Sequence, residues 1–170
     1  MNIDVQRPER AQPIGVFLYA ESFLRSAQAL SACREDGTLS LRFEDPIYYL
    51  YTHSVELFLK SFLRAKGYSE AKLSLKPYGH DLSNLWLESI NCGLAPHPVK
   101  RAIMEQTIEI LAPFATSYEF RYLATGAKTI PTLDALGEAA TYFMDAVKPI
   151  CLASLQNAVD SEGLQKRADK

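Results

Sequence analysis

Residues 45–67 read DPIYYLYTHSVELFLKSFLRAKG, and this stretch decides the fold class. Asp45 is a good helix cap, and Pro46 suits the first helical position, where a missing N–H costs nothing. Gly67 supplies the stop, because helices commonly end on a glycine that accepts a positive φ. In between, Ile47, Tyr48, Leu50, Tyr51, Val55, Leu57, Phe58, Leu59, Phe62 and Leu63 cover most of the circumference. A helix apolar nearly all round belongs at the centre of its fold. Polar residues interrupt it. His53, Glu56 and Lys60 stand at i, i+3 and i+7 and therefore share one face.

Helical periodicity recurs on both sides. From Pro13 to about Arg34, residues Ile14, Phe17, Leu18, Phe23, Leu24, Ala27 and Leu30 fit one broad face, and Glu35-Asp36-Gly37 stops the helix. Thr38–Glu44 is a connector and Tyr68–Tyr78 a loop. A third helix starts at His80-Asp81, with Asp81 as its cap, and buries Leu82, Leu85, Trp86 and Ile90 before Cys92-Gly93. A fourth opens at Pro96-His97-Pro98, turns Val99, Ile103, Ile108 and Leu111 inward, and breaks at Pro113. Residues 114–130 read as irregular and aromatic. A fifth runs from Pro131, kinks at Pro149 and ends near Val159. Short connections favour antiparallel neighbours. The expected class is all-α, an up-and-down bundle of four to five helices. Residues 1–12 are expected to form a flexible arm, 13–159 the bundle, and 160–170 a frayed tail.

Composition narrows the function classes. The 170 residues are 48% apolar and 22% charged, with a net charge of −2, which excludes a disordered chain and a generally basic nucleic-acid glove. Three cysteines, Cys33, Cys92 and Cys151, form no CxxC and argue against a disulfide framework or a zinc ribbon. The start, MNIDVQRPERAQP, holds no apolar signal stretch, and no apolar run reaches the roughly 18–20 residues of a membrane span. A cytoplasmic location with no membrane contact is expected.

Three places carry candidate chemistry. On the central helix, a half-buried His53 beside Glu56 could act as acid or base, while the Glu56–Lys60 spacing equally fits an ion pair on a solvated stripe. Tyr78-Gly79-His80-Asp81-Leu82 is helix-start chemistry, but nothing structural requires a His at position 80. Tyr118-Glu119-Phe120-Arg121-Tyr122 is either a loop packed over the bundle end or a phosphate and base grip, since an Arg between tyrosines suits both. No phosphate loop, GxSxG, GxGxxG or HExxH occurs. His53 with Glu56 and His80 with Asp81 are the only local His–carboxylate sets, so neither a metal nor another cofactor is expected.

The helix Tyr49-Leu50-Tyr51-Thr52-His53-Ser54-Val55-Glu56-Leu57-Phe58-Leu59-Lys60, followed by Gly67, then Gly79-His80-Asp81-Leu82, then Phe120-Arg121-Tyr122 before a last long helix, resembles the HEPN superfamily of helical domains over roughly residues 12–150. The resemblance implies a bundle of four or five helices, a homodimer with its cleft at the interface, and a role in prokaryotic stress, defence or toxin–antitoxin systems. It also implies a nucleotide, RNA, nucleotidyltransferase or antitoxin partner. The RNases of that superfamily carry an Arg and, four to six residues later, a His. No Arg precedes His53, His80 or His97 at that spacing. The chain is therefore expected to be a nucleotide- or RNA-binding, or partner-binding, module. Its ligand face would be His53, Glu56, Lys60, His80, Asp81, Arg121 and Tyr122. The alternatives are a metal-independent RNase using His53, His80 and Arg121, or a structural subunit of a larger assembly.

Overall fold

The central helix forms as expected. In a computed structural model, which describes residues 12–122 and 129–168 (side chains as far as 160), the helices are α1 (Pro13–Glu35), α2 (Asp45–Ala65), α3 (Glu70–Ser74), α4 (Leu82–Asn91), α5 (Pro98–Ser117) and α6 (Leu133–Ala168). Among the described residues there is no strand, and no helix is long and apolar enough to cross a membrane. Residues 1–11 of the expected arm lie outside the described residues, as do 169–170 of the expected tail. Gln12 stands at the N-cap of α1.

Helix α2 packs against α1, α6 and α4. Its Phe58, Leu59, Phe62 and Leu63 are fully buried. Phe17 meets Phe58 with ring centroids 5.4 Å apart, and Ser31 meets the Tyr51 hydroxyl at 3.2 Å, so α1 runs antiparallel to α2. Gln28 bonds Thr141 at 3.4 Å, and Glu35 contacts Asp134, so α1 is antiparallel to α6 as well. The Tyr48 hydroxyl donates to the Pro131 carbonyl at 2.7 Å, fixing the lead into α6 beside the start of α2.

Several details differ from the sequence reading. The 68–78 segment holds α3, capped by the Ser69 side chain, which accepts from the Lys72 N–H. The described residues thus carry six helices, one more than the pattern gave. Helix α2 begins at Asp45, with Glu44 at the cap position and no side-chain cap bond; Pro46 still falls in the first turn. Gly67 ends it with φ +92°. Helix α5 does not break at Pro113 but continues to Ser117. Proline removes one backbone donor, and the Ser117 hydroxyl, donating to the Pro113 carbonyl at 2.9 Å, closes the following turn. Leu18 and Val99, expected inward, are 53% and 65% exposed. The buried stripe of α1 is narrower, at Phe17, Ala20, Leu24, Ala27 and Ser31, and Val99 lies in the first turn of α5, ahead of its buried residues, which start at Met104. Helix α6 passes through Pro149 and continues past Val159 to Ala168, where Leu164, Gln165, Lys166 and Arg167 are good helix formers.

Close approach of α2 and α6 depends on Gly137. A Cβ there would stand 2.9 Å from the Tyr51 hydroxyl oxygen and 3.4 Å from the ring carbon that bears it. Tyr51 is buried and tied to Ser31, so it cannot swing away. Gly137→Ala gains about 1 kcal/mol of helix propensity but meets an overpacking cost of about 1–3 kcal/mol. Net destabilisation is expected in thermal unfolding, relieved when Tyr51→Phe is added. A stabilised single variant would contradict this packing.

Candidate functional site

Glu56 is the centre of the polar face. It lies on α2 among apolar neighbours and is only 4% exposed, so it is not part of a solvated stripe. The Lys60 ammonium donates to Oε1 at 2.7 Å from one turn further along. His80 Nδ1 reaches both carboxylate oxygens at 3.1 Å. His53 Nδ1 stands 3.8 Å from Oε2, an ion-pair distance beyond hydrogen-bond reach. Burial, the largest influence, pushes the Glu56 carboxyl up. The His53 ring, Lys60 and His80 together outweigh burial and bring the pKa down from 4.5 to about 2. An ionised carboxylate only accepts, so His80 Nδ1 carries the hydrogen in that bond, and in the neutral ring Nε2 is left as the acceptor.

His80 reaches Glu56 because α4 starts there. Gly79, at φ +42°, turns the chain into the helix. Asp81 caps α4, accepting from the Asn84 N–H at 2.9 Å and the Asn84 side-chain amide at 2.8 Å. Asp81 is thus engaged in holding the turn, and it faces a separate shallow depression with Ser83 and Glu109.

The aromatic loop closes the other side. Phe120 is buried, stacked on Phe114 at 5.0 Å and on Tyr48 at 5.5 Å, and this anchors the loop. Tyr118 sits at the C-cap of α5 in the left-handed region, φ 59°, where glycine is usual. That strained position sets its ring edge-on to His80 at 5.3 Å. The Arg121 guanidinium lies between two rings, 5.2 Å from Tyr49 and 5.0 Å from Tyr118. Tyr49 also stacks on His53 at 5.5 Å, and Phe23 of α1 packs edge-on to the same imidazole at 4.6 Å. Tyr122 is 73% exposed beside this cluster and does not line the cleft.

Below Arg121 the cleft narrows to a cavity of about 20 Å³, lined by Tyr49, Thr52, His53, Glu56, Tyr118 and Arg121 with Phe114, Ala115 and Phe120. One water-sized group fills it. Of the expected ligand residues, His53, Glu56, Lys60, His80 and Arg121 come together, while Asp81 and Tyr122 stand aside. Tyr118 stood in the quoted aromatic loop but not among the expected ligand residues, and neither Tyr49 nor Thr52 was expected to take part. Tyr49, four residues before His53 on the same helix face, was findable from spacing alone. Among the described residues no group of three or more His, Cys, Asp or Glu side chains is placed to hold a metal ion. No family model, curated protein or solved structure matches the chain.

Proposed function

We propose that the chain is a binding module for a nucleotide or a single-stranded RNA segment, with the phosphate at Arg121. The observation that carries this is the guanidinium held between Tyr49 and Tyr118 at the mouth of the cleft. Among the described residues Arg121 has no carboxylate within ion-pair reach, so its charge stands available to a phosphate. Behind it, Glu56 is offset by Lys60, leaving the mouth positive although the chain is acidic overall. Tyr118 and Tyr122 offer exposed rings on which bases stack, worth about 1–3 kcal/mol each. The cavity is too small for a base, so the ligand lies across the mouth. The resemblance to HEPN domains supports the same reading. It adds an up-and-down homodimeric bundle and a place beside a nucleotidyltransferase or antitoxin partner in a stress or defence system.

A second reading, metal-independent RNA cleavage, is favoured by one arrangement. A buried carboxylate orients the His80 imidazole, as in hydrolase dyads, with His53 as a second imidazole on the same carboxylate. One assay tests both readings. A fluorescent single-stranded RNA is titrated in EDTA, and its length is checked on a gel. Arg121→Ala is expected to weaken binding about tenfold or more with unchanged thermal stability. Equal binding by the variant would remove the phosphate assignment. RNA shortened by the natural protein and left intact by His80→Ala would establish cleavage.

A further inference from the structure

Among the described residues, two buried polar atoms in the cleft lack partners. Thr52 Oγ1 and His53 Nδ1 are both enclosed without a hydrogen bond. Thr52 is 5% exposed, and both residues line the small cavity under Arg121. Helical threonines normally satisfy themselves by donating to the carbonyl one turn back. Thr107 does so with Ile103, and Thr141 with Gly137, each at 2.8 Å. Thr52 makes no such bond. A buried group without its partner costs stability unless something else supplies one.

The chemistry of the lining identifies that group. Glu56 is ionised and accepts only, and it forms one wall. A phosphate oxygen inserted there would meet a carboxylate with no proton between them. A hydroxyl fits: it donates to the carboxylate or to a ring nitrogen and accepts from the Thr52 hydroxyl. The cavity of about 20 Å³ admits one oxygen and no larger group. Arg121 at the mouth takes the phosphate, so the hydroxyl belongs to the sugar beside it.

We propose that the Thr52–His53–Glu56 cavity is a sugar-hydroxyl pocket that makes the cleft select ribonucleotides over deoxyribonucleotides. This rests on the phosphate reading above and adds Thr52 as the specificity-determining residue. A hydroxyl that supplies partners to these buried groups is selected, and the analogue lacking it leaves them unpaired.

The test measures binding to a single-stranded RNA of A and C only, the DNA of the same sequence, and the RNA methylated on its 2′-oxygens. RNA is expected to bind about tenfold more tightly than either of the others. The methyl group removes the donor and exceeds the cavity. Thr52→Val, isosteric and without the hydroxyl, is expected to lower RNA affinity towards that of DNA and leave DNA binding unchanged. Equal affinity for all three in the natural protein overturns the pocket and leaves the phosphate site standing, with the cavity holding a structural water only. A Thr52→Val loss shared equally by RNA and DNA also overturns it. Failure of all three to bind overturns the phosphate site and this inference together.

Discussion

Glu56→Gln is expected to lower folding stability by about 3 kcal/mol at neutral pH and to flatten the acid limb of the stability profile. The carboxyl titrates near its ordinary 4.5 in the unfolded chain and at about 2 in the fold. As pH falls, the unfolded chain therefore takes up the proton first. The stabilisation is complete above about pH 4.5 and is lost progressively towards pH 2. A gap of that size corresponds to about 3 kcal/mol. Gln is nearly isosteric but carries no charge, so the Lys60 ammonium is left half-buried beside a neutral amide. Denaturant midpoints at pH 7 and pH 4 for both proteins measure the effect. Other carboxylates contribute to the natural acid limb, among them Asp36, held low by its hydrogen bonds to Thr38. The difference between the two proteins isolates Glu56. Parallel acid limbs would show that Glu56 is not held ionised by its neighbours.

The same substitution separates the two readings of the polar face. On a solvated stripe an i,i+4 pair contributes about 0.3–0.5 kcal/mol, and its loss would be hard to measure. The buried carboxylate has a second partner from a distant part of the chain, His80, and a third group, His53, at ion-pair distance. That long-range element is what spacing could not reveal. The His53, Glu56, Lys60 face was legible because helical geometry fixes it within one helix. Convergence of His80 and Arg121 was not, since loops and turns place them and no period governs those. The sequence placed Tyr118 beside Arg121 but hid its conformation. A tyrosine in the left-handed region carries no pattern of its own, and only its contact with His80 and Arg121 explains it. Thr52 passed as filler on an apolar helix, and it stands out only because its hydroxyl is enclosed and unbonded. Pro113 misled for a related reason. Proline disfavours a helix interior locally, but the packing of Leu111, Ala112 and Phe120 against the core holds α5 together through it.

Phe58→Ala tests the opposite side of the same helix, and its expected effect is larger still. Two residues on from Glu56, Phe58 points about 200° away around α2. It is fully buried and meets Phe17 of α1. Truncation removes the ring and leaves a cavity where α1 and α2 cross, at a cost of about 3–5 kcal/mol. A domain of this kind has about 5–15 kcal/mol in total, so the variant should unfold at a much lower temperature or urea concentration and still fold in the cold. There the two faces of α2 separate. His53, Glu56 and Lys60 are held by each other, by His80, and by Phe23 and Tyr49 around the imidazole, and none of these contacts passes through Phe58. The RNA affinity proposed for the cleft is therefore expected, in the folded fraction at low temperature, to stay within about twofold of that of the natural protein, because residues without shared partners act nearly additively. Glu56→Gln should lose affinity and stability together. A Phe58→Ala protein that stays within about 1 kcal/mol of the natural stability would mean that α2 is not the centre of the core. If its RNA affinity falls in step with its stability, the cleft depends on the same packing as the core, and the two faces are one structure.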